Sequence, residues 1–418
     1  MHALLVAAVL SLPPSVPQAE RPNVVLLISD DQAWNDFGFM GSEDVATPRL
    51  DALAEQSLAF PRGYVPTALC RASLATIITG LYPHQHKITG NDPPKGEDRA
   101  RMLKHIAAVD TLPKLLAGAD YRSLQTGKWW EGECRCGGFT EGMTHGDPKR
   151  GGRHGDLGLK IGRKTMAPAF DFIDECAAAE TPFFLWYAPF LPHTPHNPPE
   201  RLLRPYLNPE RRPNVPEPVA KYWAMCTWFD ETCGQILDHL ESRDLTRKTI
   251  VVLVTDNGWI QRPDRNGFAP RSKRSPYDAG VRTPILFSWP GTIAPSSNPT
   301  PVSSVDIAPT ILAACGVKIP AALPGVDLRS SALATRGPIF GAAYTHDAVD
   351  IDAPAKSLLT RWVLDGKHKL LVHTNPGQED ELFDIVADPF EEVSLRNEAV
   401  AKSLRAALDA WWRPDSDE

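Results

Sequence analysis

Two pairs of oxygen-bearing side chains close strongly apolar runs of the chain. Asp30 and Asp31 end one such run, and Asp256 and Asn257 end another. Four such groups at one sheet edge repel one another unless a cation lies between them, and hard oxygen ligands suit Ca²⁺, with Mg²⁺ as the alternative. Each pair alone also fits a plainer interpretation, a turn or a helix cap. Together the two pairs predict a metal site.

Cys70 is the second candidate for chemistry. It precedes the helical pattern of residues 72–79, so we expect it at a helix N-terminus. There the free N–H groups and the helix dipole favour an anion. A buried cysteine that only packs is the alternative, since cysteine is among the residues most often found inside proteins.

The elements that must position these residues alternate between strands and helices. Uninterrupted apolar runs of this kind are typical of strands buried on both faces. They occupy residues 23–29, 182–188 and 249–255, and helical patterns occupy residues 48–57, 72–79, 112–119 and 222–243. The alternation predicts an α/β fold, a doubly wound, mostly parallel sheet flanked by helices. Sites in such sheets form beyond the carboxyl ends of the strands, where both acidic pairs and His193 fall.

The pattern changes near residue 337, which predicts a second, smaller unit. Residues 361–373 indicate two short strands around an Asp365-Gly366 turn, another strand begins near Glu381, and a helix is expected over residues 397–412. We therefore predict a catalytic α/β domain over residues 20–336 and a C-terminal α+β subdomain over residues 337–418. This subdomain would be an antiparallel sheet with a terminal helix.

Composition narrows the function classes. The formal net charge of −7 argues against nucleic-acid binding, which needs a basic face. Residues 1–19 contain a short apolar run that is too short to span a bilayer but fits a signal peptide. We therefore expect an exported protein, periplasmic or secreted, with no membrane partner. The seven cysteines are an odd number, and we expect one or two disulfide bridges among those other than Cys70.

The segment from Cys70 to Gly80 resembles the signature of the type I sulfatases, which belong to the alkaline phosphatase superfamily. Cys70, Ala72, Ser73, Thr79 and Gly80 match that signature. The resemblance implies that a formylglycine-generating enzyme oxidises Cys70 to formylglycine, whose hydrated aldehyde attacks sulfur. It also implies a bound Ca²⁺, held by the acidic pairs and by the modified Cys70.

Three further segments resemble elements of the same family. Gly127-Lys128-Trp129-Trp130 is similar to a Gly-Lys-Trp-His element, and Pro192-His193-Thr194-Pro195 to a Pro-His-x-Pro element. The run from Lys273 to Pro284 is similar to an element with a lysine, a tyrosine and an arginine. The resemblance implies that Lys128 and Lys273 bind sulfate and that His193 donates a proton near neutral pH.

Two departures from the family pattern need replacements. Leu74 stands where the family has an arginine, and it can neither donate a hydrogen bond nor carry charge. Arg71 is the hypothesis for the missing guanidinium, because it is adjacent to Cys70 and always charged. Trp130 stands where the family has a histidine. The glycine-rich insert that follows it, residues 131–164, offers His145 and His154 as replacements, and nothing in the spacing chooses between them.

The sequence therefore predicts a Ca²⁺-dependent hydrolase that removes sulfate from an organic ester, most simply a sulfated carbohydrate or small molecule. One alternative is a phosphodiester or phosphonate monoester hydrolase of the same superfamily. Another is a pseudoenzyme that binds sulfated glycan without cleaving it, for which Leu74 and Trp130 are the evidence.

Overall fold

Apolar strands form the centre of the structure, a computed structural model that describes residues 21–147, 149 and 152–414. The strands are β1 (Asn23–Ser29), β2 (Leu58–Tyr64), β3 (Arg122–Gly127), β4 (Glu141–Gly142), β5 (Phe183–Ala188), β6 (Thr249–Thr255), β7 (Arg282–Ser288), β8 (Ser296–Ser297), β9 (Val302–Ser303), β10 (Ile339–Tyr344), β11 (Leu358–Asp365), β12 (His368–His373) and β13 (Glu381–Asp384). The expected signal peptide, residues 1–19, lies outside the described residues.

The helices follow the strands in alternation over the first part of the chain. They are α1 (Pro48–Glu55), α2 (Cys70–Thr79), α3 (Pro83–His86), α4 (Lys104–Ala108), α5 (Leu112–Ala117), α6 (Ala167–Ala178), α7 (Glu200–Leu203), α8 (Glu217–Ser242), α9 (Asp278–Val281), α10 (Ile307–Ala314) and α11 (Glu398–Trp411). No helix in the described ranges has the length and apolarity to cross a membrane.

The large sheet has the order β4-β3-β5-β1-β6-β7-β2-β8, with β9 paired to β2. Strand β1 is parallel to both of its neighbours, β5 and β6, whereas β7 is antiparallel to β6 and to β2. The sheet is thus mixed but mostly parallel and is flanked by helices, which confirms the predicted fold class.

Both faces of β1 are buried, because its alternate side chains enter different cores. Val24, Leu26 and Ile28 pack in a cluster with residues of α2, α5, α10 and the second sheet. Val25 and Leu27 pack on the opposite face with residues of α1, α6 and α8. A strand covered on both sides needs an apolar residue at every position, which is why its sequence shows no polar alternation.

The second sheet is antiparallel, with the order β10-β11-β12-β13, and α11 packs against it, as predicted. A buried ion cluster joins it to the large sheet. Lys369 Nζ on β12 lies 2.8 Å from Asp278 Oδ1 at the start of α9 and 2.9 Å from Glu391 Oε1. Because Trp362 and Leu371 of this sheet lie in the same core cluster as β1, the domain boundary at 336/337 is one of sequence pattern and stays a prediction.

The expected disulfide bridges are not formed. All seven cysteines lie in the described part of the chain, and all are free thiols. Six of the seven are buried, and Cys70, Cys176, Cys226 and Cys315 lie in apolar clusters, where a thiol packs as a small hydrophobic group.

Candidate active site

The register of the sheet brings the two acidic pairs together. Ser29 is paired with Thr255 at the ends of β1 and β6, so the residues that follow emerge at one edge. The Asp31 backbone N–H donates to Asp256 Oδ1 over 3.1 Å, and Asn257 Nδ2 donates to Asp31 Oδ1 over 2.7 Å. Asp31 turns out of the strand with φ +66°, a left-handed conformation that aspartate tolerates better than most residues.

This cluster has the properties of a cation site. Asp30 Oδ2 and Asn257 Oδ1 are buried oxygens without a hydrogen-bond partner, and such acceptors are costly unless something cationic meets them. Asp30, Asp31 and Asp256 are three buried carboxylates, whereas two ammonium groups in the described part of the chain, those of Lys128 and Lys273, pair with them. A divalent cation with oxygen ligands would neutralise the excess charge and satisfy both free oxygens, so the residues present fit Ca²⁺ or Mg²⁺.

Lys128 enters the cluster from the end of β3. Gly127 precedes it with φ +79°, and a Cβ there would lie 1.8 Å from the carbonyl oxygen of Ala188, so only glycine fits this close approach. The Lys128 N–H donates to the same Ala188 oxygen over 2.7 Å. Its buried Nζ then donates to Asp30 Oδ1 over 2.6 Å and to Asp256 Oδ2 over 3.4 Å.

Lys273 and His193 approach the cluster from its other side. Lys273 Nζ lies 2.6 Å from Asp31 Oδ1, and His193 Nε2 lies 3.5 Å from Asp31 Oδ2. The other ring nitrogen of His193 lies 2.7 Å from the carbonyl oxygen of Thr194. Arg163 Nη2 donates to the His193 carbonyl over 2.6 Å and fixes the loop that carries this histidine.

Cys70 is the first residue of α2 and lies at the centre of the group. One ligand atom from each of Asp30, Asp31, Cys70 and His193 lies within 4.8 Å of all the others. Burial raises the pKa of the Cys70 thiol to about 11, although Lys128 and Lys273 act to lower it. The encoded thiol is therefore protonated at neutral pH and is a poor nucleophile.

Burial and charge act in opposite directions on the acidic residues. Burial raises the pKa of Asp256 to about 7, and the charge of Asp30 adds to that shift. Burial acts to raise the pKa of Asp31 as well, but Lys273 and His193 lower it below its ordinary value. Burial would lower the pKa of Lys128, yet Asp30 and Asp256 raise it well above normal, so the ammonium stays charged.

Arg71 is directed away from this cluster. Its Nε and Nη2 donate to the two carboxylate oxygens of Glu131, each over 2.7 Å. The remaining N–H groups contact the Gly90 carbonyl and the sulfur and carbonyl of Met102. Arginine has five N–H donors, and all five are engaged. These contacts direct the Arg71 guanidinium to Glu131 and Met102, and Leu74 packs in the apolar core, so the hypothesis that Arg71 supplies the missing guanidinium gains no support from the geometry and stays a prediction.

Substitution of either member of the Arg71–Glu131 pair tests this hypothesis. Both side chains are almost fully buried, so Arg71→Met and Glu131→Gln should each lower the free energy of unfolding by about 3–5 kcal/mol. Urea unfolding of the two variants and of the double variant measures the coupling, and we expect less than the sum of the single losses.

The exposed Arg101–Glu97 pair is the matched control. Arg101→Met should cost no more than a surface pair contributes, about 1 kcal/mol or less. Full stability of Arg71→Met with loss of turnover, beside a fully active Glu131→Gln, would support the catalytic hypothesis.

A polar rim that the sequence did not indicate borders the site. Arg99 and Arg153 both pair with Asp92, and their guanidinium carbons lie 5.3 and 5.0 Å from the centre of the Trp130 ring. The connection between β10 and β11 contributes His346, whose carbonyl accepts the Asn91 N–H. These residues lie far apart in sequence, and no motif connects them.

The histidines near the site differ in exposure and in their surroundings. His145 is exposed, whereas the His154 ring lies 5.4 Å from that of Trp130. His196 is buried beside Tyr222 and Trp259, with both ring nitrogens lacking a hydrogen-bond partner. No role was assigned to His196 from the sequence.

Comparison with known proteins gives a consistent result. The Sulfatase family model matches residues 22–317, and the model for the C-terminal part of N-sulphoglucosamine sulphohydrolase matches residues 268–412. The N-acetylgalactosamine-6-sulfatase of Canis lupus familiaris is 28% identical over 372 residues, which cover 77% of this chain and 68% of that protein. The ulvan-active sulfatase of Formosa agariphila is 25% identical over 439 residues, which cover 93% of this chain and 80% of that protein.

Solved structures share the fold. The crystal structure of Ps i-CgsB superposes with a TM-score of 0.76 at 23% identity, and the match covers 94% of this chain and 93% of the other. At this identity the likeness is one of fold. Since the Sulfatase model spans most of the described residues, the chain belongs to the sulfatase family and is a sulfatase, a hydrolase of sulfate esters.

Proposed function

We propose that this protein is an exported, Ca²⁺-dependent sulfatase that removes sulfate from a sulfated carbohydrate and uses a formylglycine derived from Cys70. The observation that carries the proposal is Cys70 at the start of α2, with its sulfur beside Asp30, Asp31 and His193. Relatives named for N-acetylgalactosamine and for ulvan support a saccharide substrate. Export rests on the sequence of residues 1–19 alone.

Position 70 and the acidic cluster would have different roles in the reaction. A formylglycine at position 70 would supply a hydrated aldehyde whose hydroxyl attacks sulfur, and re-formation of the aldehyde then releases sulfate. Asp30, Asp31, Asp256 and Asn257 would hold the metal, which adds positive charge beside the sulfate oxygens. Fixed positive charge of this kind stabilises the negative charge that develops on oxygen in the transition state.

Lys128 and Lys273 would bind the sulfate oxygens. Both ammonium groups are charged, Lys128 is buried and Lys273 is partly buried, and carboxylates hold both in place, so little rearrangement is needed when substrate enters. Preorganised charge in a dry site has a much larger effect than the same charge in water. His193 would assist the departing oxygen by donating a hydrogen bond from the Asp31 side of the cluster.

The decisive measurement is peptide mass spectrometry across Cys70, made on protein from its native host, together with sulfate release from a panel of sulfated sugars and an aryl sulfate. We expect loss of the thiol mass, gain of the formylglycine mass, and no sulfate release by Cys70→Ala. Cys176→Ala is the control, because Cys176 is equally buried in α6 but lies in the opposite core cluster.

Two outcomes would overturn this mechanism. A fully retained thiol in the native-host protein would remove the nucleophile and would leave a protein that binds sulfated glycan without cleaving it. The engagement of every Arg71 donor and the burial of Leu74 are the observations on that side. Hydrolysis of phosphonate or phosphodiester substrates in preference to every sulfate ester would instead assign the other activity of the superfamily.

A further inference from the structure

The glycine-rich insert brings a second imidazole, that of His154, close to two aromatic rings beside Lys128. The His154 ring lies 5.4 Å from the rings of Trp130 and Phe190, measured between centroids. Lys128 Nζ lies 5.9 and 5.7 Å from the same two rings. His154 and the catalytic lysine therefore share two aromatic neighbours, and the carbonyl of His154 accepts the Trp129 N–H over 3.2 Å.

Glycines permit this close approach. A Cβ on Gly155 would lie 2.8 Å from the carbonyl oxygen of Gly127, and one on Gly158 would lie 2.4 Å from it. Contacts below about 3 Å do not occur for real Cβ atoms, so the insert can approach the end of β3 only with glycine at these positions. The contact is thus built into the sequence directly after His154.

Charged contacts fix the turn that carries His154. The adjacent Arg153 pairs with Asp92, and its guanidinium lies 5.0 Å from the Trp130 ring. Arg99 Nη2 donates to the Arg153 carbonyl over 3.1 Å. The turn that carries His154 is therefore held against Asp92 and Arg99.

Cleavage of a sugar sulfate needs a proton donor, because an alkoxide is a poor leaving group. Trp130 can donate a hydrogen bond but cannot transfer a proton. His193 and both lysines face the carboxylates of the metal cluster. The His154 ring lies beside Trp130 and Phe190, the two rings that also lie near Lys128 Nζ.

We propose that His154 is the proton donor to the departing alcohol, and this assignment rests on the proposed sulfatase function. The sulfur–oxygen bond of the ester breaks as sulfur bonds to the nucleophile at position 70. The proton on the His154 ring nitrogen passes to the released ester oxygen, so that a neutral alcohol leaves. The hydroxyl proton of the nucleophile passes to solvent water, and the neutral imidazole takes up a proton from the solvent, so that the number of protons is conserved. His154 takes this role because the insert compensates for Trp130.

A leaving-group series tests the assignment. We expect His154→Asn to lower kcat/KM for a sulfated sugar by about 10²–10⁴-fold, the usual contribution of a positioned acid. For 4-nitrophenyl sulfate, whose leaving group needs no proton, the loss should stay below about tenfold. Aryl sulfates of rising phenol pKa should show progressively larger losses. His145→Asn, in the same insert but exposed, should be unchanged with every substrate.

A second variant and a folding control distinguish loss of the proton donor from loss of structure. His154→Gln provides a second variant, and thermal unfolding shows that each variant is folded before its kinetics are compared. Equal losses for the sugar and the 4-nitrophenyl ester in both variants would overturn the inference, because a merely structural role affects all leaving groups alike. If the wild-type protein releases sulfate from none of the substrates, the proposed function itself fails.

Discussion

Asp256→Asn should abolish Ca²⁺ binding and sulfate-ester hydrolysis while raising the melting temperature of the metal-free protein. Asp30, Asp31 and Asp256 are three buried carboxylates paired with two lysines, and burial holds the pKa of Asp256 at about 7. The substitution leaves two carboxylates for two ammonium groups, so it relieves repulsion in the metal-free state. It also removes a carboxylate from the proposed metal site.

The measurement is thermal unfolding with and without Ca²⁺, together with turnover. Ligand at about 100 times Kd stabilises a native protein by about 2.7 kcal/mol, and this gain should vanish in Asp256→Asn. Turnover should fall by at least about 10³-fold, since a metal contributes several kcal/mol of charge stabilisation. A calcium-induced shift in Tm equal to that of the wild type would refute the assignment of Asp256 as a ligand.

Asp230→Asn is the matched control. Burial also raises the pKa of Asp230 to about 7, but its carboxylate accepts the backbone N–H groups of Arg49 and Leu50 at the start of α1. Asparagine retains one acceptor there, and the residue lies on α8, away from the metal cluster. We expect this variant to bind Ca²⁺ like the wild type.

Lys369→Met should cause the largest loss of stability among single substitutions between the two sheets. Lys369 is fully buried between Asp278 and Glu391. Removing its charge leaves two buried carboxylates without a cation, which costs about 3–5 kcal/mol. Because Asp278 begins α9, directly after the segment that carries Lys273, sulfate-ester hydrolysis should fall as well. Urea unfolding and turnover, each compared with the wild type, measure the two effects.

Lys367→Met is the control that removes the same charge from an exposed ion pair. Lys367 lies two residues earlier and pairs with Asp384, but its side chain is 55% exposed. Its loss should cost no more than about 1 kcal/mol, as is usual for exposed ion pairs. Similar free energies of unfolding for the two variants would show that the buried cluster does not hold the sheets together.

Sequence reasoning succeeded where a local pattern has one structural meaning. The runs at 23–29 and 249–255 coincide with β1 and β6, because a strand covered on both faces excludes polar residues. It failed for β2, whose sequence contains Pro61 and Gly63 and whose partners lie far along the chain. Pairings of that kind leave no local signal.

The candidate site divides in the same way. The acidic pairs follow predictable strand ends, so register alone brings them together. The Arg71 side chain pairs with Glu131 instead, because successive side chains on a helix point about 100° apart and adjacency to Cys70 in sequence does not direct them to the same place. The rim of Asp92, Arg153 and His346 has no sequence signature, since three distant segments meet there only after the second sheet is in place.

The contact between the second sheet and the segment before Cys70 also limits the time during synthesis in which Cys70 is accessible. The Ala342 N–H on β10 donates to the carbonyl of Pro66 over 2.8 Å, and the folded chain leaves Cys70 only 1% exposed. The modifying enzyme that the proposed function requires must therefore reach Cys70 before the fold is complete, and the fold is complete only after β10 has docked. About 270 residues separate the two positions, so at roughly 5–20 residues per second the ribosome leaves an interval of about 15–55 s. Faster translation or earlier docking would shorten that interval, and the yield of modified protein would then depend on the rate of elongation.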